Sequence, residues 1–408
     1  SEAAPGDIWR TKTQARADLV AYARRRLRES AEWRYGQGHA SSWVDYALDE
    51  NILTVGFARR VPTYKRLTLM LSEPDRLRGL LLHPEHPVQI VVAGKAHPAD
   101  DEGKRLIRDL VAFADGADVR HRIVFLPDYD MDMARYLYAG CDVWMNNPVR
   151  PLEASGTSGM KAALNGALNL SVLDGWWDEW HDGLNGWIIP TVDIENPDER
   201  DAREASELYD VLASSVIPMF YRRDDQGVPQ AWVSRLQHTW RTLGPKVLAS
   251  RMLREYLNGL YRPAAEAGHV LMRDSYAAAR HIAAWKTSML KAWPGVRVDH
   301  VESFEGVEAR PERPGETVIS VNAYIALGDL SPHEVCVHMA WGGVDETHTL
   351  DRPEMIEMQQ YEALEQNRWI YKAHVYARDP GAFGLTVRVV PRPPEFIGAI
   401  DSGLVTYA

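Results

Sequence analysis

From Thr11 to Ser30 the apolar positions fall at Leu19, Val20, Tyr22, Ala23 and Leu27, the spacing of one helix face, with arginines crowding the other side. This predicts a helix with a solvated basic face, and Ser30–Asp49 reads as irregular. From Asn51 the period shortens. ILTVGFA, PVQIVVAG (Pro87–Gly94), HRIVFLPDYD, DVWMNN and GALNLSVLDG (Gly166–Gly175) are short apolar runs with turn residues around them, as expected of parallel strands buried on both faces. Between them RLTLMLSEPDRL, EGKRLIRDLVAFADG and MDMARYLYAGC carry helical spacing, the last closed by Gly140. Strand–helix alternation with short connections predicts a doubly wound, Rossmann-like α/β sheet, whose sites form at the carboxyl ends of the strands.

From about Pro197 to Trp293 the pattern returns to helices, including SELYDVLASSVIPMFY, VSRLQHTWRTLG and YAAARHIAAWKTSMLKAW. VESFEGVEARPERPG (Val301–Gly315) is charged and carries prolines, which reads as a linker. Beyond it TVISVNAYIAL puts Ile319, Val321, Ala323, Ile325 and Leu327 on one face, and HEVCVHMAW does the same with Val335, Val337, Met339 and Trp341. With RWIYKAHVYAR and FGLTVRVVPR these runs have the spacing of an antiparallel β-sandwich. The predicted division is a helix and connector over 1–50, an α/β domain with trailing helices over 51–296, and a sandwich over 315–408.

Composition narrows this picture mainly by exclusion. A length of 408 residues, 45% hydrophobic and 25% charged, suits an ordinary globular protein of two to three domains. A net charge of −11 argues against nucleic acid as a bulk partner. Two isolated cysteines, Cys141 and Cys336, make no disulfide framework, so a cytoplasmic location is expected. No apolar run approaches the ~18 residues of a membrane span. The start, SEAAPGDIWRT, has neither an initiator Met nor a secretory h-region, which suggests a processed product or a fragment.

Two segments could carry chemistry. GFARRVPTYKR follows a strand with Arg59, Arg60, Lys65 and Arg66 within eight residues, either an oxyanion pocket or a solvated basic turn. EASGTSGMKAALNGAL (Glu153–Leu168) combines glycines, hydroxyls, a carboxylate and a lysine. Its glycines let backbone amides approach a ligand, and a helix starting near Ser158 would aim free N–H groups at an anion. Lys161 lies early in that helix between Met160 and Ala162. Partial burial there would favour the neutral amine that Schiff-base chemistry needs; the other reading is a tight turn with Lys161 exposed. Ser158-Gly-Met-Lys161 matches S-x-x-K formally, but the companion motifs are absent. His333 and His338 are five apart, on opposite faces of a strand, so no metal site is expected. DGWWDEWHDGLNGW (Asp174–Trp187) would serve either sugar binding or aromatic packing.

Together these segments resemble the α-glucan (glycogen or maltodextrin) phosphorylase family of bacterial type. ARRVPTYKR is similar to the family's phosphate-binding K-R-x-x-x-Y-K-R, and EASGTSGMKAALNGAL to its E-A-S-G-T-x-x-M-K-x-x-L-N-G-A-L. The resemblance runs from about Leu53 to the helices near Ala265. It implies that Lys161 holds pyridoxal 5'-phosphate as an imine, while Thr157 and the amides of Gly156 and Ser158 cradle its phosphate. Arg59 stands where the family often has lysine near that phosphate. Arg60 and Lys65 match the pair gripping the substrate phosphate, and Glu153, Ser155 and Gly156 the groups holding the transferred glucose. The implied reaction is phosphorolysis of terminal α-1,4-glucosyl units to α-glucose 1-phosphate with retention. The partners implied are α-1,4-glucan and inorganic phosphate. The family has two Rossmann-like halves in a GT-B arrangement, and this chain resembles the carboxyl-terminal one. An amino-terminal half, in the same or a separate chain, is therefore an implied partner. It would dock near Lys246–Tyr261, and a homo-oligomer is compatible with the resemblance. The alternatives are a non-catalytic cofactor- or glucan-binding fragment and a nucleotide-sugar glucosyltransferase of the glycogen synthase kind. Such glucosyltransferases often carry glutamate where Lys161 stands.

Overall fold

The computed structural model describes residues 3–36, 42–60, 63–310, 313–344, 349–350, 353–376, 383–394 and 398–408, without the side chains of 35, 60, 63, 305–310, 313–317 and 399–400. Contacts divide the chain into two compact units, Ser1–Arg254 and Glu255–Ala408. No helix among the described residues is long and apolar enough to cross a membrane.

The first unit opens with α1 (Pro5–Tyr35). It continues through β1 (Leu53–Arg60), α2 (Pro74–Leu81), β2 (Val88–Lys95), α3 (Asp101–Ala114), β3 (Ile123–Pro127), α4 (Met131–Gly140) and β4 (Val143–Asn146). Then follow α5 (Thr157–Leu164), β5 (Leu168–Val172), α6 (Trp176–Trp180), β6 (Gly186–Ile189), α7 (Pro197–Val211), α8 (Ile217–Tyr221) and α9 (Gln230–Val247). The six strands are parallel in the order β3-β2-β1-β4-β5-β6, the doubly wound order expected of a Rossmann-like sheet.

Strand alternation explains the layers. Leu53, Val55 and Phe57 of β1, Val88, Ile90 and Val92 of β2, and Val143 and Met145 of β4 enter one core, with Leu77, Leu110, Leu208 and Leu236 from helices. Ala58, Val91, Ala93 and Trp144 point the other way, toward Leu19 and Tyr22 of α1 and Met133 and Leu137 of α4. A Cβ on Gly56 would lie 2.5 Å from the Cys141 sulfur, so only glycine fits that crossing.

Three expectations need correction here. The RLTLMLSEPDRL helix starts only at Pro74, after a 3₁₀ turn at Leu69–Leu71, because proline disfavours helix in the residue before it and suits the first helical turn. β6 begins at the end of the tryptophan-rich stretch, where no strand is expected from the sequence. The basic face of α1 is not wholly solvated. Arg16 Nε and Nη2 donate to the Asp142 carboxylate at 2.9 and 3.0 Å, and its Nη1 to Glu50 O at 2.5 Å. Asp142 also accepts the Thr54 N–H at 2.9 Å, so α1 ties together the starts of β1 and β4. Arg24 likewise donates to the carbonyls of Ala47 and Leu48, each at 2.9 Å.

Past α10 (Ala249–Tyr256), which lies across the boundary, the second unit begins with α11 (Arg262–Ala292), broken at Arg273–Tyr276 by non-helical backbone. Its strands are β7 (Arg297–Arg310), β8 (Arg313–Ala326), β9 (Val335–Gly343), β10 (Glu354–Glu357), β11 (Gln359–Leu364), β12 (Arg368–Tyr376), β13 (Phe383–Pro391) and β14 (Thr406–Tyr407). They form two antiparallel sheets, β10-β9-β13-β14 and β11-β12-β8-β7. Val321, Ala323 and Ile325 of one sheet share a core with Val335, Val337 and Met339 of the other. The segment expected to be a linker, Val301–Gly315, instead contributes to the β7–β8 pair. β7 is an edge strand, where charged composition is ordinary.

Candidate functional site

The sheet order reverses between β1 and β4, since β2 and β3 lie to one side and β5 and β6 to the other. The carboxyl ends of β1 and β4 therefore flank a crevice of the kind where ligands bind in open α/β sheets. Arg59, near the end of β1, is 9% exposed. Its Nη2 donates to Asn146 Oδ1 at 2.6 Å, and the guanidinium lies 4.5 Å from the Phe57 ring centroid. Its Nε and Nη1 are buried and have no hydrogen-bond partner among the described residues. Burial pulls the Arg59 guanidinium down to about 10, against the opposing pull of the Glu153 charge. Asn146 is fixed in turn by donating to Ser171 Oγ on β5 at 3.1 Å.

Lys65 ends the short turn after β1, and its ammonium pairs with the Glu153 carboxylate. Both groups are largely buried, at 14% and 7% exposed. The basic turn and the glycine loop, 88 positions apart, thus meet through this pair. Asp174, just after β5, holds the loop from below. Its carboxylate accepts the Glu153 and Gly175 N–H groups, both at 2.9 Å, while the Trp176 N–H donates to Ser155 O at 3.1 Å. Gly175 has φ +56°, and a Cβ there would sit 2.5 Å from Ser155 O.

Gly156 caps α5 in the left-handed region, φ +84°. Thr157 opens the helix with its side chain exposed, and Ser158 Oγ accepts the Trp144 indole N–H at 3.2 Å. At Gly159 a Cβ would fall 2.6 Å from Asn169 Oδ1, and the Asn169 amide donates to Gly159 O at 3.1 Å. The far end of α5 is braced by the Trp240 indole N–H on Ala163 O at 3.0 Å. Lys161 is exposed. The partial burial suggested by its apolar neighbours is not met within this chain, because α5 buries Gly159, Ala162 and Ala163 and turns Lys161 outward.

Two profiles match the chain: "Carbohydrate phosphorylase" over residues 44–181, and "Glycogen phosphorylase C-terminal domain" over residues 293–408. The chain is 49% identical over 405 residues to a glycogen phosphorylase of Mycobacterium tuberculosis, covering 99% of this chain and 47% of that protein. It is 36% identical over 367 residues to a maltodextrin phosphorylase of Thermococcus litoralis, covering 90% and 42%. A glycogen phosphorylase of Aquifex aeolicus is 41% identical over 257 residues, covering 62% and 37%. The chain belongs to the carbohydrate phosphorylase family. It spans about half the length of the relatives it matches.

The phosphorylase-matching segment contains both the basic turn and the glycine loop. Of the four cations in that turn, Arg66 is spent on structure: it donates to Asn147 O and Pro148 O, both at 2.9 Å, and pairs with Asp201 and Glu204. Arg60 closes β1, and its side chain lies outside the described residues. Trp176, Trp177 and Trp187 are buried, which favours the packing reading of the tryptophan-rich stretch. Asp174 and Asn146 were missed as site residues. Their signal was the Asp-Gly turn and the paired asparagines, each directly after an apolar strand.

Proposed function

We propose that this chain is the carboxyl-terminal half of a glucan phosphorylase, one lobe of a GT-B pair, and supplies the cofactor and phosphate side of the active site. The observation that carries this reading is Arg59, whose Nε and Nη1 are buried and without a partner among the described residues at the switch point of the sheet. A buried guanidinium left short of acceptors is costly unless an anion completes it. Pyridoxal 5'-phosphate fits this donor set: Arg59 with Thr157 and the amides of Gly156 and Ser158 for its phosphate, and Lys161 as the amine that anchors it. Lys161 is exposed within this half, so the partial burial that the anchor role calls for would have to come from the amino-terminal half.

When bound, the cofactor would supply a phosphate able to exchange a proton with the substrate phosphate. The chain's own residues do the rest. Arg60 and Lys65 hold inorganic phosphate beside the reacting glucosyl carbon and offset the repulsion between two phosphates. Glu153 accepts hydroxyls of the transferred glucose, with Ser155 and Gly156 beside it, and Asp174 keeps the Glu153 backbone in place. The products are α-glucose 1-phosphate, with retained configuration, and a shortened α-1,4-glucan. An amino-terminal half completes the glucan path, and the protein works in the cytoplasm, where a homo-oligomer is compatible with this assignment.

Loading the chain with pyridoxal 5'-phosphate, reducing with borohydride and mapping peptides should place a pyridoxyl group on Lys161. Lys161→Ala should abolish it with the circular dichroism unchanged. An adduct on another lysine, or none, would overturn the assignment. Addition of an amino-terminal half should restore release of glucose 1-phosphate.

A further inference from the structure

Ser158 stands at an unspecified position of the glycine-loop motif, and the assignment above uses only its backbone amide. Its side chain has a partner outside that motif. The Trp144 indole N–H donates to Ser158 Oγ at 3.2 Å. Among the described residues the Ser158 hydroxyl makes no hydrogen bond in which it is the donor.

Trp144 is held firmly enough to direct that hydroxyl. Alternation along β4 turns it toward the α1–α4 side of the sheet, away from Val143 and Met145, and it is 0% exposed. Its ring lies 4.7 Å from the Tyr138 ring, and a Cβ on Gly56, its partner on β1, would come within 3.1 Å of it. Packing alone does not require the hydrogen bond. Trp177, Trp232 and Trp293 are buried as well, and their indole N–H groups have no partner among the described residues. Burial raises the Tyr138 phenol above its ordinary value, against the pull of Tyr129 and of the Arg59 charge. The indole and the guanidinium therefore share Tyr138 as a neighbour.

A hydroxyl has one proton to give and two lone pairs to fill. With one lone pair taken by a fixed N–H, the Ser158 proton must point away from Trp144. Ser158 lies in the first turn of α5, where free backbone N–H groups face any anion at the helix start. An O–H turned away from the indole adds a charge-assisted donor to those amides.

We propose that Trp144 is a positioning residue for the cofactor phosphate: its buried N–H fixes Ser158 Oγ as an acceptor on one side, so that the Ser158 O–H donates to the phosphate on the other. This rests on the phosphorylase reading above, which puts that phosphate at the start of α5. Trp144 itself touches no ligand and acts only through the serine.

Titrating the full chain with pyridoxal 5'-phosphate and, separately, with pyridoxal, which lacks the phosphate, tests this. The readout is the fraction of Lys161 trapped by borohydride. Ser158→Ala should weaken binding of the phosphate form about tenfold and change pyridoxal binding by less than about twofold, since one hydrogen bond to a charged group is lost. Trp144→Phe should show the same selectivity at about threefold, because the hydroxyl stays but is free to rotate. Ser158→Ala/Trp144→Phe should bind no more weakly than Ser158→Ala alone. A tryptophan needed only for packing would weaken both ligands alike and add to the serine effect, which would overturn the proposal. Ser158→Ala with an unchanged ratio between the two ligands would overturn it too, whether or not Trp144→Phe folds. Labelling of Lys161 in the wild type with these ratios unmoved removes this role and keeps the phosphorylase reading; no labelling of Lys161 in the wild type removes both.

Discussion

The two ends of β1 each hold a buried arginine, in opposite states. At the amino end Arg16 is 1% exposed and donates to Asp142 through two nitrogens and to Glu50 O through the third. At the carboxyl end Arg59 is nearly as buried, yet two of its three nitrogens have no partner among the described residues. One guanidinium is used up by the fold and the other is held in reserve. Desolvating a charge is costly at either end; at the carboxyl end, where sheets of this topology open their crevice, that cost is met only in part, by Asn146, the Phe57 ring and the Glu153 charge. The proposed assignment of Arg59 to anion binding rests on this contrast as well as on the motif.

The strongest way to break the comparison is at the amino end. Asp142→Ala strands Arg16 without its counter-charge and should cost about 3–5 kcal/mol in urea unfolding; a loss under about 1 kcal/mol would mean water reaches Arg16. Next comes Lys12, in the same cluster, which donates to Ala139 O at 2.6 Å and Cys141 O at 2.5 Å. Burial lowers its ammonium from 10.5 to about 8, with Asp142 pulling the other way. Between those values the unfolded chain carries a proton on Lys12 that the folded chain has released. This group's contribution to stability therefore rises with pH through that window, by roughly 2–3 kcal/mol. The urea midpoint of wild type should climb relative to Lys12→Met from pH 7.5 to pH 10, and parallel curves would refute it. The smallest effect belongs to the carboxyl end. Arg59→Met should change stability by no more than ~1 kcal/mol, since it removes unpartnered donors, while retention of pyridoxal 5'-phosphate collapses. Equal damage to both would make Arg59 a second Arg16.

Much of this architecture could be read from periodicity. The runs around Val55, Ile90, Val124, Met145 and Leu170 are strands because β-branched apolar residues between turn signals have few other solutions. The alternation at Val321–Leu327 and Val335–Trp341 located the sandwich faces. Pairing was not legible. Nothing local distinguishes Arg16 from the solvated arginines of α1, because its partner lies 126 positions away. Arg59 and Arg66 are the same residue type in one basic turn, and only the path of the chain past Asn147 and Pro148 makes Arg66 structural. The outward turn of Lys161 follows from which side of α5 meets the sheet, and apolar neighbours in sequence do not encode that. The β7–β8 pair was hidden by charge, since edge strands and linkers share a composition.

The first helix carries a last consequence. The phosphorylase match begins at residue 44 and the earliest strand at Leu53, which invites trimming the chain to start near Asn51. Such a shortened protein would keep every motif residue and lose Arg16, leaving Asp142 sealed between β1 and β4 with its negative charge unanswered. How far the chain can be trimmed ahead of this sheet is therefore set by the reach of one side chain on α1, well outside any stretch a reader would mark as functional.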